Sequence, residues 1–396
     1  MLPAITIIGG TDSGKSTLIG NLLMETKSIP ASLVQKVKDL CRREQVVFQP
    51  AYLVDYMREE IALQSTRETA LAELKIGKEK ILLIDTPGQM MLSKKMISGL
   101  SQASEVIILV DMTDNDSRIY RYYLKLAALL GFSEIMVVIN KVDLFDYKEK
   151  EYDKFLDNLG IKEGRNFHVL PISALKSQNL AKKSELLFWY KGDTLLKILE
   201  KIVKTSKNQA GTNFLMPVQS VLRIGEENIA LGTVLEGNIS AGDKVRIFDG
   251  EGNKDVKIKR LYYNAVAIHP YGYPMKRGHI LHNLTDEAFS NNVDVRMYVL
   301  EHFMPGNVRD YTVRFLHGVY KIQKLEIKER LNFQLAPLHA SDDTLFANEF
   351  LDAQVVFNRK ILRTKNIIAR KFVIENKEDS IVLFGVISGI GEFKAG

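Results

Sequence analysis

The sequence predicts an α/β domain with a mainly parallel sheet and helices on both faces, followed by two β-barrel domains. Short apolar, β-rich runs alternate with helical stretches in the first half. The polar segment TSKNQAGTN follows Lys204, and β-rich runs separated by turn signals fill the second half. At 396 residues the chain also exceeds the roughly 250 to 300 residues at which one core stops growing. We expect domains at 1–208, 209–300 and 301–396.

Five strand–helix units follow one another in the first half. ITIIGG precedes a helix from Lys15, ILLID precedes MMLSKKMISGL, VIILVD precedes YRYYLKLAALLG, MVVIN precedes a helix near 150–159, and FHVLPIS precedes a helix in TLLKILEKIV. Repeated alternation of this kind predicts a mainly parallel sheet with helices on both faces. Ligands of such sheets bind at the carboxyl ends of the strands.

The second half has the pattern of antiparallel sheets. The runs PVQSVL, NIALGTVLEG, ISAGDKVRIFDGEGN, KDVKIKRLYY and DVRMYVL alternate with turn signals, and turn pairs such as Gly242-Asp243 and Asp249-Gly250 mark hairpins. We therefore expect a small barrel up to about residue 300. A second β-rich block follows, with YTVRFLHGVYKIQKLEI, FLDAQVVFN, IIARKFVIE and SIVLFGVI, and predicts a second barrel.

The composition is that of an ordinary globular protein, with 46% hydrophobic and 26% charged residues and no apolar run long enough for a membrane span. The N-terminus lacks the basic region of a signal peptide, so we expect a cytoplasmic protein without membrane partners. The net charge of +6 permits an acidic or nucleic-acid partner without requiring one. The single cysteine, Cys41, excludes an internal disulfide.

A phosphate-loop motif lies at the first strand-to-helix turn. Residues 9–16, GGTDSGKS, match G-x-x-x-x-G-K-[ST] between the strand AITII and a helix. Glycines let backbone N–H groups surround phosphates, Lys15 reaches the β and γ oxygens, and Ser16 holds Mg²⁺ at a helix N-terminus that favours anions. The candidate nucleotide-binding residues here are Gly9, Gly10, Thr11, Asp12, Ser13, Gly14, Lys15, Ser16 and Thr17.

A second strand, ILLID, ends in Asp85 and continues as Thr-Pro-Gly. The Asp85 carboxylate is suited to hold Mg²⁺ directly or through water, and the N–H of Gly88 can sense a γ-phosphate. In combination with the phosphate loop, this motif predicts a nucleoside triphosphate site.

The motif Asn140-Lys141-Val142-Asp143 follows the strand MVVI. The Asp143 carboxylate can accept two hydrogen bonds from the N1 and N2 edge of guanine, whereas adenine does not present these donors in that arrangement. The loop after FHVLPI fits a wall behind the base. It consists of Ser173, Ala174 and Leu175. These motifs predict GTP or GDP, with Mg²⁺, as the ligand.

In order and spacing, these motifs resemble those of the translation-factor class of GTPases. In that class a threonine of the first switch closes over Mg²⁺ and the γ-phosphate, and the resemblance assigns this role to Thr66, 19 residues before Asp85. The sequence has Gln-Ser-Thr at this place, where the family usually shows Gly-Ile-Thr.

Within this class, the sequence most resembles sulfate adenylyltransferase subunit 1, the GTPase subunit of bacterial ATP sulfurylase. Four stretches carry the resemblance: GGTDSGKSTLIGNLLMETKSI, SALKSQNLAKKSELLFWYKGDTLLKILE, MPVQSVLR and LAPLHASDDTLFANEFLDAQVVFNRKIL. It implies a GTP-hydrolysing subunit and a separate catalytic subunit that makes adenosine 5′-phosphosulfate from ATP and sulfate. Under this interpretation nucleic acid is not a partner.

One departure from the family concerns hydrolysis. The family has a histidine after Asp-Thr-Pro-Gly that is thought to position or polarise the attacking water, and Gln89 stands in its place. Glutamine can orient water by donating and accepting hydrogen bonds, because the reaction needs positioning more than a strong base. The candidate catalytic residues are therefore Gln89, Lys15 and Thr66.

Two alternatives to the sulfurylase function stay open. The first is an elongation-factor-like translational GTPase that binds tRNA or the ribosome, with which the basic balance is compatible. The second is a paralogue that uses GTP as a switch or scaffold, motivated by Gln89 and the altered first switch.

The pair Trp189-Tyr190 is interpreted either as packing beneath the linker or as an aromatic contact with a partner.

Overall fold

The computed structural model describes residues 3–64, 70–86, 94–114, 117–160, 167–208, 213–224, 227–262, 267–270, 273–301, 305–332, 336–338 and 344–388. The chain divides into two compact units, one at Leu2–Thr205 and the other holding Ser206–Gly396. Among the described residues, none of the helices is both long and apolar enough to cross a membrane. Thr66, Gly88 and Gln89 lie outside the described residues.

The first unit contains six strands and seven helices among its described residues. In chain order they are β1 Ala4–Gly9, α1 Lys15–Glu25, α2 Ala31–Arg43, α3 Ala51–Gln64, β2 Ala70–Ile76, β3 Glu79–Asp85, α4 Lys94–Gln102, β4 Glu105–Asp111, α5 Ser117–Leu129, β5 Glu134–Asn140, α6 Glu149–Leu159, β6 Phe167–Pro171 and α7 Leu195–Asn208. The five predicted strand–helix units did not include α2, α3 or β2.

These strands form one sheet in the order β2-β3-β1-β4-β5-β6. All neighbours are parallel except β2, which pairs antiparallel with β3. The residues of β1 and β4 are buried throughout, as expected for central strands covered on both faces. The register places Ile7 opposite Asp85 and Asp111 opposite Asn140, so the polar strand ends meet at one edge of the sheet.

Helix α1 packs closely against the start of α3. A Cβ atom on Gly20 would lie 2.1 Å from the backbone oxygen of Pro50, so only glycine allows this approach. Cys41 is buried in α2, in a small apolar cluster with Val37 and Leu53. Its environment is that of a small packing residue.

The second unit consists of two closed barrels, which confirms the predicted fold class. The first barrel contains β7 Leu215–Ile224, β8 Glu227–Gly232, β9 Lys244–Phe248, β10 Asn253–Tyr262, β11 Ala267–Pro270 and β12 Ile280–His282. The second contains β13 Phe289–Val299, β14 Thr312–Phe315, β15 Gly318–Leu331, β16 Phe350–Leu362, the short helix α8 Ile367–Arg370, β17 Lys371–Glu375 and β18 Ile381–Ile387.

Strand β13 differs from the sequence-based expectation, which placed the run DVRMYVL in the first barrel. It pairs with β16 and β18 of the second barrel, and its inward residues Val293, Val295 and Met297 belong to that core. Both barrels bury alternate residues, so the period of two does not show which barrel a strand joins. At the junction of the barrels the rings of Phe248 and Phe289 stack 4.0 Å apart.

Two buried histidines make the second unit sensitive to acid. His317 is fully buried, and neither ring nitrogen has a hydrogen-bond partner within the described part of the chain. Burial lowers its pKa to about 3. Burial, assisted by the charge of Arg246, lowers the pKa of His282 to about 4. Both imidazoles are therefore neutral in the folded protein at physiological pH.

We expect these histidines to destabilise the fold as the pH falls. The unfolded chain binds a proton near pH 6.5 and the folded chain does not, so each histidine should cost about 2 kcal/mol at pH 5.0 relative to pH 7.5. The variant His317→Leu should reduce this pH dependence by about 2 kcal/mol, measured by urea unfolding followed by circular dichroism at both pH values. An unchanged pH dependence would contradict the prediction.

Candidate functional site

The phosphate loop lies between β1 and α1, as the motif predicts. Gly14, the residue before α1, has a φ of 95°, which lies in the left-handed region that favours glycine. A Cβ atom there would also lie 2.5 Å from Nδ2 of Asn140. Both observations explain why the second glycine of the motif is needed.

The side chain of Lys15 crosses the loop. Its Nζ atom donates hydrogen bonds to the carbonyl oxygens of Gly9, at 2.9 Å, and Gly10, at 2.8 Å. The ammonium charge is therefore held at the loop, next to the N-terminus of α1, where both the charge and the helix dipole favour a phosphate.

Asn140 connects the phosphate loop to the loop after β6. Its Nδ2 atom donates to the carbonyl oxygen of Ser13 at 2.8 Å, and its Oδ1 atom accepts from the N–H of Ala174 at 2.8 Å. The side chain is buried, so these bonds are shielded from water. Asn21 of α1 donates to the carbonyl oxygen of Ala174. Three segments distant in sequence are thus fixed against one another.

Lys141 and Asp143 follow Asn140 on the same loop. Lys141 adopts a left-handed conformation with a φ of 66° and forms an ion pair with Asp111 at the end of β4. Asp143 lies in a short 3₁₀ turn, Val142–Phe145, and is partly exposed. This arrangement leaves the Asp143 carboxylate accessible to a ligand, as guanine recognition requires.

The loop after β6 is closed by backbone hydrogen bonds between Ser173 and Gln178. The Ser173 hydroxyl is buried and accepts from the N–H of Lys176 at 3.2 Å. The side chain of Leu175 is 55% exposed and can pack on a base.

Two of the three candidate Mg²⁺ ligands, Asp85 and Ser16, lie among the described residues. Asp85 ends β3 and is buried, and the hydroxyl of the next residue, Thr86, donates to the carbonyl oxygen of Ile7 at 2.7 Å. Ser16 lies in the first turn of α1 and is partly exposed. A carboxylate and a hydroxyl at the carboxyl edge of the sheet are the hard oxygen ligands that Mg²⁺ prefers, so this donor set fits the ion.

Asp111 and Tyr120 belong to the site and were not predicted. Asp111 accepts hydrogen bonds from the N–H and hydroxyl of Thr113, at 2.8 and 2.6 Å, besides its ion pair with Lys141. The Tyr120 hydroxyl accepts from the N–H of Asp111 and donates to Asp114 at 3.1 Å. Burial raises the pKa of Tyr120, so it remains a neutral donor. The sequence signal that could have indicated Asp111 is its position at the end of the strand VIILVD, which corresponds to the position of Asp85 at the end of ILLID.

Comparisons with known proteins identify the family of the first domain. Residues 2–208 match the family model of the elongation factor Tu GTP binding domain. The chain is 32% identical over 272 residues to elongation factor 1-alpha of Archaeoglobus fulgidus, covering 66% of this chain and 64% of the relative. It is 34% identical over 249 residues to elongation factor 1-alpha of Thermococcus kodakarensis, covering 61% and 57%.

Among solved structures, the S. cerevisiae Ski7 GTPase-like domain bound to GTP has a TM-score of 0.56 and 15% identity, covering 98% of each chain. At this identity the likeness shows the fold alone. The matches cover less than two thirds of the length of the elongation factors. The family match covers more than half of the chain. The chain therefore belongs to the translation-factor class of GTP-binding proteins, whose GTP-binding domain is of the elongation factor Tu type.

Proposed function

We propose that this protein is an elongation-factor-like translational GTPase that alternates between GTP and GDP and acts on the ribosome or tRNA. The observation that carries the nucleotide part of the proposal is the pair of hydrogen bonds by which Asn140 joins the phosphate loop to the loop behind the base. The relatives named elongation factor 1-alpha support the translational role. The net charge of +6 is compatible with an RNA partner.

The function that the sequence resemblance implied, a subunit of ATP sulfurylase, gains no support from the comparisons. The family match and the relatives favour the translational alternative instead. The two functions require different partners, which are the ribosome for a translational GTPase and a catalytic adenylyltransferase subunit for a sulfurylase. Stimulation of GTP turnover by purified ribosomes supports the proposal, whereas GTP-dependent formation of adenosine 5′-phosphosulfate with an adenylyltransferase subunit would overturn it.

In the proposed site, each predicted segment has a separate role. The backbone of residues 9–14 and the Lys15 ammonium hold the β and γ phosphates. The hydroxyls of Ser16 and Thr66 and the carboxylate of Asp85 hold Mg²⁺, which supplies charge neutralisation of the phosphates when bound. Asp143 accepts from guanine, and Leu175 packs on the base. The ion pair of Asp111 and Lys141 orients residues 140–143, which we call the guanine loop.

Base specificity tests the nucleotide site directly. A fluorescent GDP analogue should bind at least a hundredfold more tightly than the matching ADP analogue, because adenine would leave the Asp143 carboxylate without its two donors. Asp143→Asn should lose most GDP affinity and gain affinity for xanthosine diphosphate, whose C2 oxygen can accept from the new amide. Equal binding of GDP and ADP would refute the assigned role.

Hydrolysis tests the role proposed for Gln89. We expect Gln89→Ala to lower the single-turnover rate by one to two orders of magnitude, roughly the contribution of one positioning group. The dissociation constant for GDP should change little, because the side chain is assigned to the attacking water. A rate equal to that of the wild type would remove Gln89 from the mechanism.

A further inference from the structure

Three large apolar side chains are exposed beside the guanine loop. Leu144, which follows Asp143, is 65% exposed, Leu186 is 52% exposed and Phe188 is 75% exposed. The proposed nucleotide site uses none of them. We call Leu144, Leu186 and Phe188 the apolar patch.

Local contacts hold the two segments of the patch together. Nε1 of Trp189 donates to the carbonyl oxygen of Tyr147 at 2.8 Å, which fixes the segment of Phe188 beside the loop of Leu144. The Trp189 ring also packs against Tyr152 with centroids 5.0 Å apart. Trp189 is therefore engaged in packing within its own domain.

The direction of the patch side chains is likewise fixed. Ser184 accepts a hydrogen bond from the N–H of Leu186 and begins the short 3₁₀ turn Glu185–Leu187. Leu187 is buried, whereas its neighbours Leu186 and Phe188 point to solvent. Leu187 is thus the residue of this turn that packs into the core, and the two apolar side chains beside it face solvent. Such ordered exposure of adjacent apolar groups is typical of an interaction surface.

The segment that carries Leu186 and Phe188 is basic, whereas the loop of Leu144 carries charges of both signs. Residues 182–191 contain three lysines and one glutamate. Lys176, Lys182 and Lys191 are exposed, and none of the three has a carboxylate within 4.0 Å in the described parts of the structure. Lys191 instead donates to the carbonyl oxygen of Phe188 at 2.7 Å, which places its charge at the patch.

We propose that the apolar patch is a docking surface for a partner protein that presents apolar side chains flanked by acidic ones. The exposed lysines complement an acidic partner and would steer its approach. Leu144 and Phe188 would anchor it, because buried aromatic and apolar groups at the centre of an interface supply most of the binding energy. A nucleic acid would satisfy the lysines and leave the leucines exposed, so the observations favour a protein.

The test uses the full-length chain and a fluorescein-labelled amphipathic helical peptide with leucines on one face and glutamates on the other. Fluorescence anisotropy should show binding that weakens at least tenfold in Phe188→Ser and in Leu186→Ser. Phe346→Ser removes a phenylalanine of the second barrel that is 47% exposed and should bind like the wild type. Circular dichroism and GDP binding check that each variant keeps its fold.

Charge supplies the second part of the test. Lys176→Glu with Lys182→Glu should also weaken binding tenfold, and a peptide with lysines in place of glutamates should not bind. Equal affinity in the wild type and Phe188→Ser would overturn the proposal. So would tight binding of single-stranded RNA that competes with the peptide and is unaffected by Phe188→Ser.

Discussion

Replacement of Asn140 by alanine should weaken GDP binding by two to three orders of magnitude. The substitution removes the donor to the Ser13 carbonyl and the acceptor of the Ala174 N–H, each at 2.8 Å and buried. A buried group left unsatisfied costs about 1 to 3 kcal/mol, and two such losses act on the geometry of the same site. Titration with a fluorescent GDP analogue measures the effect.

Asn179→Ala is the matched control for this prediction. Asn179 is equally buried and also makes two hydrogen bonds with the backbone, to Pro171 at 3.1 Å and from Ser184 at 2.9 Å. Among the described residues, its side chain makes no hydrogen bond to the phosphate loop or to the guanine loop. Both variants should lose stability in urea unfolding, but only Asn140→Ala should lose GDP affinity. A similar loss of affinity in both would mean that Asn140 acts through general stability.

The parts of the site that could be predicted are those fixed by the sheet. Apolar runs ending in polar residues place Gly9, Asp85 and Asn140 at the carboxyl ends of β1, β3 and β5, and parallel pairing brings these ends together. Because local sequence determines both the strands and the turns, the motifs indicated the fold and the ligand class. The family match agrees with that inference.

The parts that were missed depend on contacts between distant segments. The ion pair of Lys141 with Asp111 joins residues 30 positions apart, and no local pattern indicates it. The assignment of β13 to the second barrel is decided by its pairing with β16 and β18. The exposure of individual apolar side chains could not be predicted either, because the run SELLFWYK does not indicate that Leu187 is buried and Phe188 is exposed.

A buried ion pair in the second barrel gives the largest expected effect on stability. Arg330 of β15 donates through Nε and Nη2 to the carboxylate of Glu349, at distances between 2.9 and 3.1 Å, and to the carbonyl oxygen of Thr344. The two side chains are only 10% and 9% exposed. Removing one partner of such a pair is costly, because the other remains charged and shielded from water.

We expect Arg330→Met to lower the free energy of unfolding by about 3 to 5 kcal/mol, because Glu349 loses its counter-charge. The matched control is Arg296→Met, which breaks a similar pair with Asp352 of β16. That pair is 27% and 31% exposed and should contribute about 1 kcal/mol or less. The double variant Arg330→Met with Glu349→Met should recover part of the loss, since no buried charge is left. Urea unfolding of the three variants measures these differences. Equal losses in Arg330→Met and Arg296→Met would show that burial does not determine how much an ion pair contributes to the free energy of unfolding.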